Sequence, residues 1–203
     1  MSKQAGNATA KLNVKDLITT GIFSALLFLA LLIGGIPFGI NPVTTFYMPF
    51  GSALLGGPIL LLLIAKVRKR GAVMIAGILS GIIFIAIGMH WAIGLGCALG
   101  GIIGDFIAGI GKFKNMKLNT LAYVLVSLGS TGTFICYFAD PQSWNTYMLN
   151  GKTSEGYIQT MSANAQGWML PVILIGTVLI ACFSGFVGTK LLKKQFEKAG
   201  ITA

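Results

Sequence analysis

Six long apolar runs divide this sequence and constrain its fold more than any other feature. A helix crosses a hydrocarbon core of about 30 Å with roughly 20 apolar residues, and each run has about that length. Only 10% of the residues are charged, against roughly 25% in a soluble domain. The sequence therefore predicts an all-α integral membrane protein that forms a single domain over 1–203. The predicted spans lie near 17–36, 46–65, 72–89, 92–111, 118–138 and 167–189.

The basic residues collect on one side of these predicted spans. Fourteen of the fifteen Lys and Arg residues lie in the N-terminal segment 1–15, the second and fourth connections, and the C-terminal tail. The other three connections contain only Lys152. Short loops rich in Lys and Arg remain in the cytoplasm. We therefore expect a multi-pass protein of the cell membrane with both termini, and the segment 1–15, on the cytoplasmic side.

Two predicted outer loops differ in character. Residues 37–48 are apolar and aromatic and carry no charge, whereas 139–166 is the most polar stretch of the chain. The first predicted helix has Asp16 as its N-cap, where a carboxylate is favourable, and it is expected to end at 34–37 with Pro37. An uncharged loop such as 37–48 is expected to dip towards the membrane rather than extend into water.

Composition and motifs argue against several classes of function. The net charge of +10 is explained by basic residues at helix ends, where they face anionic lipid headgroups, so no nucleic-acid partner is expected. There is no Gly-x-x-x-x-Gly-Lys-Ser/Thr phosphate loop. A single histidine and the absence of any Cys-x-x-Cys pair indicate neither an enzyme nor a metal or cofactor site.

Asp105 is the one acidic residue inside a predicted span. It lies seven residues before Lys112, about two helical turns from the cytoplasmic end of its helix. A structural role would pair it with a basic residue or give it hydrogen bonds near the inner interface. A role in ion coupling is the alternative, because acids inside a membrane are often functional.

Polar and aromatic side chains are concentrated on the predicted outer side. Ligand sites are mostly apolar concavities with a few placed polar groups, and two loops above the outer helix ends would form one. The candidate substrate-binding residues are His90, Trp91, Asn41, Tyr47, Trp144, Tyr157, Asn164, Gln166 and Trp168. For the aromatic residues the alternative is an interfacial belt, since Trp and Tyr are enriched there. For His90 the alternative is the capping of a helix.

Two sets of small residues predict close helix packing. Gly96, Gly100 and Gly104 stand four apart on one helix face, a spacing that lets helices approach closely in lipid. Gly21 and Ala25 form a similar pair near the cytoplasmic end of the first helix. This pair could pack within the bundle or form a groove for a helix of another protein.

The pattern resembles the substrate-binding subunit, or S component, of energy-coupling factor (ECF) transporters. That family shares six helices, cytoplasmic termini, a basic segment leading into a small-residue first helix, and no ATPase of its own. Two stretches resemble the Trep_Strep group of bacterial membrane proteins, which is placed among S components. They are Gly-Asp-Phe-Ile-Ala-Gly-Ile-Gly-Lys-Phe-Lys at 104–114 and Gln-Phe-Glu-Lys-Ala-Gly-Ile at 195–201.

The resemblance implies partners and a division of labour. An S component captures a vitamin on the outer side and docks on a transmembrane coupling protein, which sits on two cytoplasmic ATPases. In that family an Ala-x-x-x-Ala motif in the first helix contacts the coupling protein, and the matching positions here are Gly21 and Ala25. The family's cup uses the outer ends of the last three helices, with the first outer loop as its lid.

These observations predict the substrate-capturing subunit of an ATP-driven ECF-type importer for a small organic micronutrient in a bacterial plasma membrane. Stacking rings and a few hydrogen bonds would suit an aromatic heterocycle such as pyridoxine or hydroxymethylpyrimidine. One alternative is a stand-alone carrier or channel that needs no ATPase partner. Another is a structural membrane protein without a ligand.

Overall fold

A computed structural model of the protein describes residues 11–191 and 193. Over this part of the chain it shows nine α-helices, one short 3₁₀ helix at Thr45–Tyr47, and no strand. The tail motif at 195–201 lies outside the described residues. The helices are α1 (Val14–Gly39), α2 (Met48–Val67), α3 (Ala72–Ala86), α4 (Trp91–Ile110), α5 (Met116–Gly129), α6 (Gly132–Ala139), α7 (Pro141–Asn150), α8 (Glu155–Asn164) and α9 (Met169–Leu191).

Four helices of the described chain are long and apolar enough to cross a membrane: α1, α2, α4 and α9. A fifth crossing arises if α5 and α6, which meet at a bend of 44°, are counted as one span. The expected span at 72–89 is shorter than predicted, because α3 has only 15 residues, about 22 Å of helix. The chain turns after Ile87 at Gly88, whose φ of 89° favours glycine.

The two ends of α1 differ from the sequence expectation. Asn13, not Asp16, is the N-cap: its side chain accepts from the Asp16 N–H while the Asp16 carboxylate accepts from the Asn13 N–H. This reciprocal capping box needs an acidic residue three positions after the cap. At the other end α1 continues through Pro37 to Gly39. A proline in the last turn removes only one backbone hydrogen bond, so the helix is not broken there.

The basic connections meet at one end of the bundle, which we call the basic end. The Lys69 Nζ lies 2.6 Å from a carboxylate oxygen of Asp16, which joins the start of α1 to the α2–α3 connection. The guanidinium of Arg70 lies over the ring of Phe106 near the end of α4. Segments that are distant in sequence therefore place their cations at the same level of the bundle.

Asp105 lies at this end and has a structural role. The buried carboxylate accepts hydrogen bonds from the Gly71 N–H at 2.9 Å and from the Val73 N–H at 3.1 Å. It thus satisfies backbone donors that the first turn of α3 leaves without helical partners. Gly71 has a φ of 99°, a conformation that favours glycine. Of the two structural arrangements expected from the sequence, the structure shows hydrogen bonds rather than an ion pair.

The glycine stripe of α4 packs directly on the backbone of α5. A Cβ atom added to Gly96 would overlap the carbonyl oxygen of Gly129. On Gly100 it would lie 2.5 Å from the carbonyl oxygen of Leu125. These contacts confirm the close packing predicted from the spacing. The opposite face of α4 packs as closely on α3, where Gly77 and Gly81 of α3 meet the α4 backbone.

The bend between α5 and α6 directs the short helix α6 across the top of α4. The hydroxyls of Ser130 and Thr131 donate to the carbonyls of Ser127 and Leu128, each at 2.7 Å. The same two carbonyls also accept the backbone N–H groups of Ser130 and Thr131, so each hydroxyl adds a second hydrogen bond at the helix break. Gly132 then lies against the Ala92 carbonyl at the start of α4.

The polar connection 139–166 contains the two helices α7 and α8. The Asp140 side chain caps α7 by accepting from the Ser143 N–H at 3.0 Å, and the Ser154 hydroxyl caps α8 by accepting from the Tyr157 N–H. Apolar side chains from both helices join a small separate core below them. That core contains Phe46, Phe134, Tyr137, Trp144, Met161, Met169 and Ile173.

The Gly96 contact predicts a specific cost for a single methyl group. Gly96→Ala should lower the free energy of unfolding by about 1–3 kcal/mol, because the added methyl forces α4 and α5 apart. The measurement is thermal unfolding in detergent, followed by circular dichroism. The matched control is Gly21→Ala, since a Cβ atom at Gly21 meets nothing within 4 Å. Equal melting of the two variants would contradict the packing argument.

Candidate functional site

A cavity of about 310 Å³ lies at the end of the bundle opposite the basic end. It is enclosed by the last turns of α1, the start of α2, the α3–α4 hairpin, and helices α6, α7 and α8. The volume is near the lower limit of ligand pockets, roughly 300–1,000 Å³, so it suits a small molecule. Its lining residues are Leu32, Ile36, Gly39, Ile40, Thr45, Met48, Met89, His90, Ile93, Thr133, Phe134, Trp144, Met148, Thr153 and Tyr157.

His90 both caps a helix and lines the cavity. It is the N-cap of α4, and its Nδ1 accepts from the Ala92 N–H at 3.2 Å. The side chain is 4% exposed. Its ring lies edge-on to Tyr147, with centroids 4.7 Å apart, and stacks on Trp144 at 6.0 Å. The structure thus shows the capping role that the sequence offered as one alternative, and it also places the residue at the cavity.

Burial also changes the acid–base behaviour of His90. Removing the imidazole from water penalises its charged form, and this lowers the pKa of His90 below its ordinary value of 6.5. The ring is consequently neutral at pH 7. A neutral imidazole whose Nδ1 accepts a hydrogen bond carries its proton on Nε2.

Trp144 forms the wall between α6 and α7. Its Nε1–H donates to the Thr133 hydroxyl oxygen at 2.9 Å. The indole is buried and meets the Tyr137 ring edge-on, with centroids 5.3 Å apart. An indole held by a hydrogen bond and two ring contacts is a rigid apolar surface.

Tyr157 fastens helix α8 to the end of α1. Its hydroxyl donates to the Gly39 carbonyl at 2.6 Å, across 118 residues of sequence. The two residues also line the cavity. The bond therefore holds α8 over the cavity as part of its cover.

Three methionines that were not among the predicted binding residues also line the cavity: Met48, Met89 and Met148. Thioether side chains adapt their shape and make favourable contacts with aromatic rings. The sequence contained a signal for them. Met48 directly follows the candidate Tyr47, Met89 directly precedes the candidate His90, and Met148 directly follows the aromatic Tyr147.

Three aromatic candidates lie outside the cavity lining. Trp91 and Trp168 are 46% and 55% exposed. Tyr47 is half-buried and packs on Phe50, with ring centroids 5.5 Å apart. Of the predicted binding residues, the structure brings His90, Trp144 and Tyr157 together at the cavity.

The three amide candidates also lie outside the lining. The Asn41 side chain accepts from the Val43 N–H at 2.9 Å within its own turn. The Asn164 amide donates to the Thr160 carbonyl at 2.8 Å at the end of α8. Gln166 is exposed. These three amides therefore lie at turns and helix ends near the cavity, not in its lining.

The small pair of α1 lies close to the basic end and faces outward. Gly21 and Ala25 are both exposed, and no other part of the described chain lies within 4 Å of a Cβ atom placed on Gly21. Within the described residues, Gly21 therefore packs against no other helix. The neighbouring side chains on this face, Ile18 and Ile22, are exposed as well.

Comparison with known proteins adds the family. A family model described as "Hypothetical bacterial integral membrane protein (Trep_Strep)" matches residues 14–198, nearly the whole chain. The chain belongs to the Trep_Strep family. This bacterial family is one of integral membrane proteins, which agrees with the long apolar helices of the structure. No curated protein and no solved structure matches this Trep_Strep chain.

The Tyr157 bond predicts the local stability of the cavity cover. Tyr157→Phe should raise hydrogen exchange in α8 about fivefold, because a hydrogen bond contributes about 1 kcal/mol and local opening would become easier by that amount. Exchange measured by mass spectrometry tests this. The control is Tyr47→Phe, whose hydroxyl makes no hydrogen bond within the described residues. Unchanged exchange in α8 would show that the bond does not hold it.

His90 predicts a loss of stability in mild acid. Its pKa is lowered in the folded protein, so below about pH 6.5 the unfolded chain binds more protons than the folded one. Stability should be complete above pH 7, fall as the pH drops below 6.5, and level off once folded His90 is protonated. Because the chain has one histidine, the change of melting temperature between pH 7.5 and 5.5 reports on it. The melting temperature of His90→Gln should stay constant across this range. The same dependence of melting temperature on pH in both proteins would refute the assignment.

Proposed function

We propose that this protein is the substrate-capturing subunit of an ATP-driven ECF-type importer for a vitamin or related micronutrient. The observation that carries the proposal is the covered, mostly apolar cavity at the end of the bundle opposite the basic residues. An aromatic heterocycle such as pyridoxine or hydroxymethylpyrimidine would stack on Trp144 and His90. The cover formed by α7 and α8 would retain it.

The proposal includes six crossings with both termini in the cytoplasm. The start of α1 is tied to the α2–α3 connection by the Lys69–Asp16 pair. The last turns of α9 pack beside the start of α5, where Gly185 contacts Thr120. Helix α3 runs along α4, since Gly77 lies against Gly101 and Gly81 against Gly94. This arrangement supports an even number of crossings, and the positive-inside rule supports placing the basic loops in the cytoplasm.

This orientation would place the cavity outside and the α1 surface near the cytoplasm. The sequence contains no phosphate loop, so energy would come from two cytoplasmic ATPases through a transmembrane coupling protein. The exposed Gly21 and Ala25 leave a small-residue surface about one helical turn long on α1. Small residues of this kind let a partner helix approach its backbone closely in lipid.

The experiment substitutes this surface while leaving the cavity intact. Gly21→Leu or Ala25→Leu should abolish co-purification with the coupling protein and the ATPases, because a branched side chain fills the flat surface. Thermal-shift titration with a vitamin panel should give the same stabilisation as for the wild-type chain, since ligand binding adds stability by mass action.

The matched control is Ile22→Leu, which exchanges one large exposed side chain for another on the same helix. It should retain the partners. Unchanged co-purification of Gly21→Leu would remove the docking assignment. Sustained uptake by the purified chain alone in liposomes would instead favour a stand-alone carrier, and a panel in which no compound raises the melting temperature would count against ligand capture.

A further inference from the structure

The cavity presents no formal charge to a ligand. None of its fifteen lining residues is an Asp, Glu, Lys or Arg. A charged ligand group placed there would lose hydration without gaining an oppositely charged side chain, and this loss disfavours its binding. The lining therefore selects against carboxylates, phosphates and ammonium groups before any specific contact is considered.

Two side chains of the lining next to Trp144 each carry a polar hydrogen without an acceptor in the described residues. The Nδ1 of His90 is already occupied by the Ala92 N–H, so the free group of the neutral ring is Nε2–H. The Thr133 oxygen accepts from Trp144 Nε1–H, and its own hydrogen has no acceptor within the described residues. Both donors belong to side chains that contact the Trp144 indole. The His90 ring stacks on the indole, and the Thr133 hydroxyl oxygen accepts the indole N–H.

Two other hydroxyls of the lining are committed within the protein. The Thr45 hydroxyl donates to the sulfur of Met48 at 3.5 Å, and the Tyr157 hydroxyl donates to the Gly39 carbonyl. A ligand that supplies acceptors to His90 Nε2–H and Thr133 Oγ1–H would form a hydrogen bond with each, which favours it over a ligand without acceptors.

We infer that the cavity takes an uncharged, flat, mainly apolar ring compound that presents a hydrogen-bond acceptor, such as a carbonyl oxygen or a ring nitrogen, to His90 Nε2–H and Thr133 Oγ1–H. The apolar part contacts Trp144, Phe134 and the three methionine side chains. This inference deepens the proposed function and rests on its claim that the cavity is the capture site. It narrows the substrate class to neutral compounds and excludes their acid and phosphate forms.

Three ring probes of nearly equal size test the inference on the full chain in lipid nanodiscs, without partner proteins. They are 2-naphthamide, which is neutral with an acceptor, 2-naphthoate, which is charged, and 2-ethylnaphthalene, which has neither charge nor acceptor. Binding of radiolabelled probe is measured by equilibrium dialysis, and partition into empty nanodiscs is subtracted. The amide should bind saturably, at least tenfold more tightly than the carboxylate and more tightly than the hydrocarbon.

Variants at Thr133 locate that binding in the cavity. Thr133→Val keeps the side-chain shape but removes the hydroxyl, including its bond to Trp144 Nε1–H. The readout is therefore the ratio of amide to hydrocarbon affinity, which should fall about fivefold. Thr133→Ser keeps the hydroxyl and should retain amide affinity. Equal or tighter binding of the carboxylate, an amide no better than the hydrocarbon, or no saturable amide binding would each overturn the inference.

This design separates the ligand class from the transport role. Binding is measured on the chain alone, so a failure to co-purify with a coupling protein does not affect the result. Conversely, loss of the predicted preference leaves the docking experiment on Gly21 and Ala25 unchanged.

Discussion

The close approach of helix backbones across α4 is the constraint on which the rest of the structure depends. In lipid, an apolar side chain gains little free energy by moving from lipid tails to a protein interior. Helix association therefore relies on close van der Waals packing between helix surfaces. Gly96 and Gly100 let α5 approach on one face, and Gly77 and Gly81 of α3 approach on the other. The three helices form a thin slab, and its upper edge carries the His90 hairpin and the bent α5–α6 pair.

The cavity follows from the way this slab ends. Helix α5 ends at Ser130 and Thr131, whose hydroxyls and N–H groups both bond back to the last carbonyls of α5. Helix α6 then crosses over α4 and brings Thr133 to the cavity that His90 also lines. Helices α7 and α8 then close the space, held by the Trp144–Thr133 and Tyr157–Gly39 hydrogen bonds. A small aromatic core below them is separate from the main core between the long helices. This second core packs Trp144 of α7 and Met161 of α8 against Met169 and Ile173 of α9, so the cover is attached to the bundle by its own set of apolar contacts.

Much of this could be predicted from the sequence, and the misses have physical causes. The spacing of Gly96, Gly100 and Gly104 predicted a packing face, and the length of the apolar runs predicted the long helices. Both signals are local features of the sequence. Asp16 was wrong as an N-cap because the choice between two neighbouring polar residues depends on which backbone N–H each side chain reaches. The connection 139–166 was read only as polar, since its two helices are short and weakly apolar and are stabilised by capping residues and by the core beneath them. The cavity methionines were missed because Met is common in any apolar run.

The sequence by itself determined that the protein is a helical membrane protein, and that most of its Lys and Arg residues lie at one end of the bundle. Those properties follow from hydropathy and from the position of Lys and Arg along the chain, which need no knowledge of contacts. Only the tertiary structure decided which aromatic residues meet. His90, Trp144 and Tyr157 converge, while Trp91 and Trp168, of the same chemical character, remain exposed. Convergence depends on the bend at Ser130, the turn at Gly88 and the direction of α7, and these are set by long-range packing rather than by any local pattern.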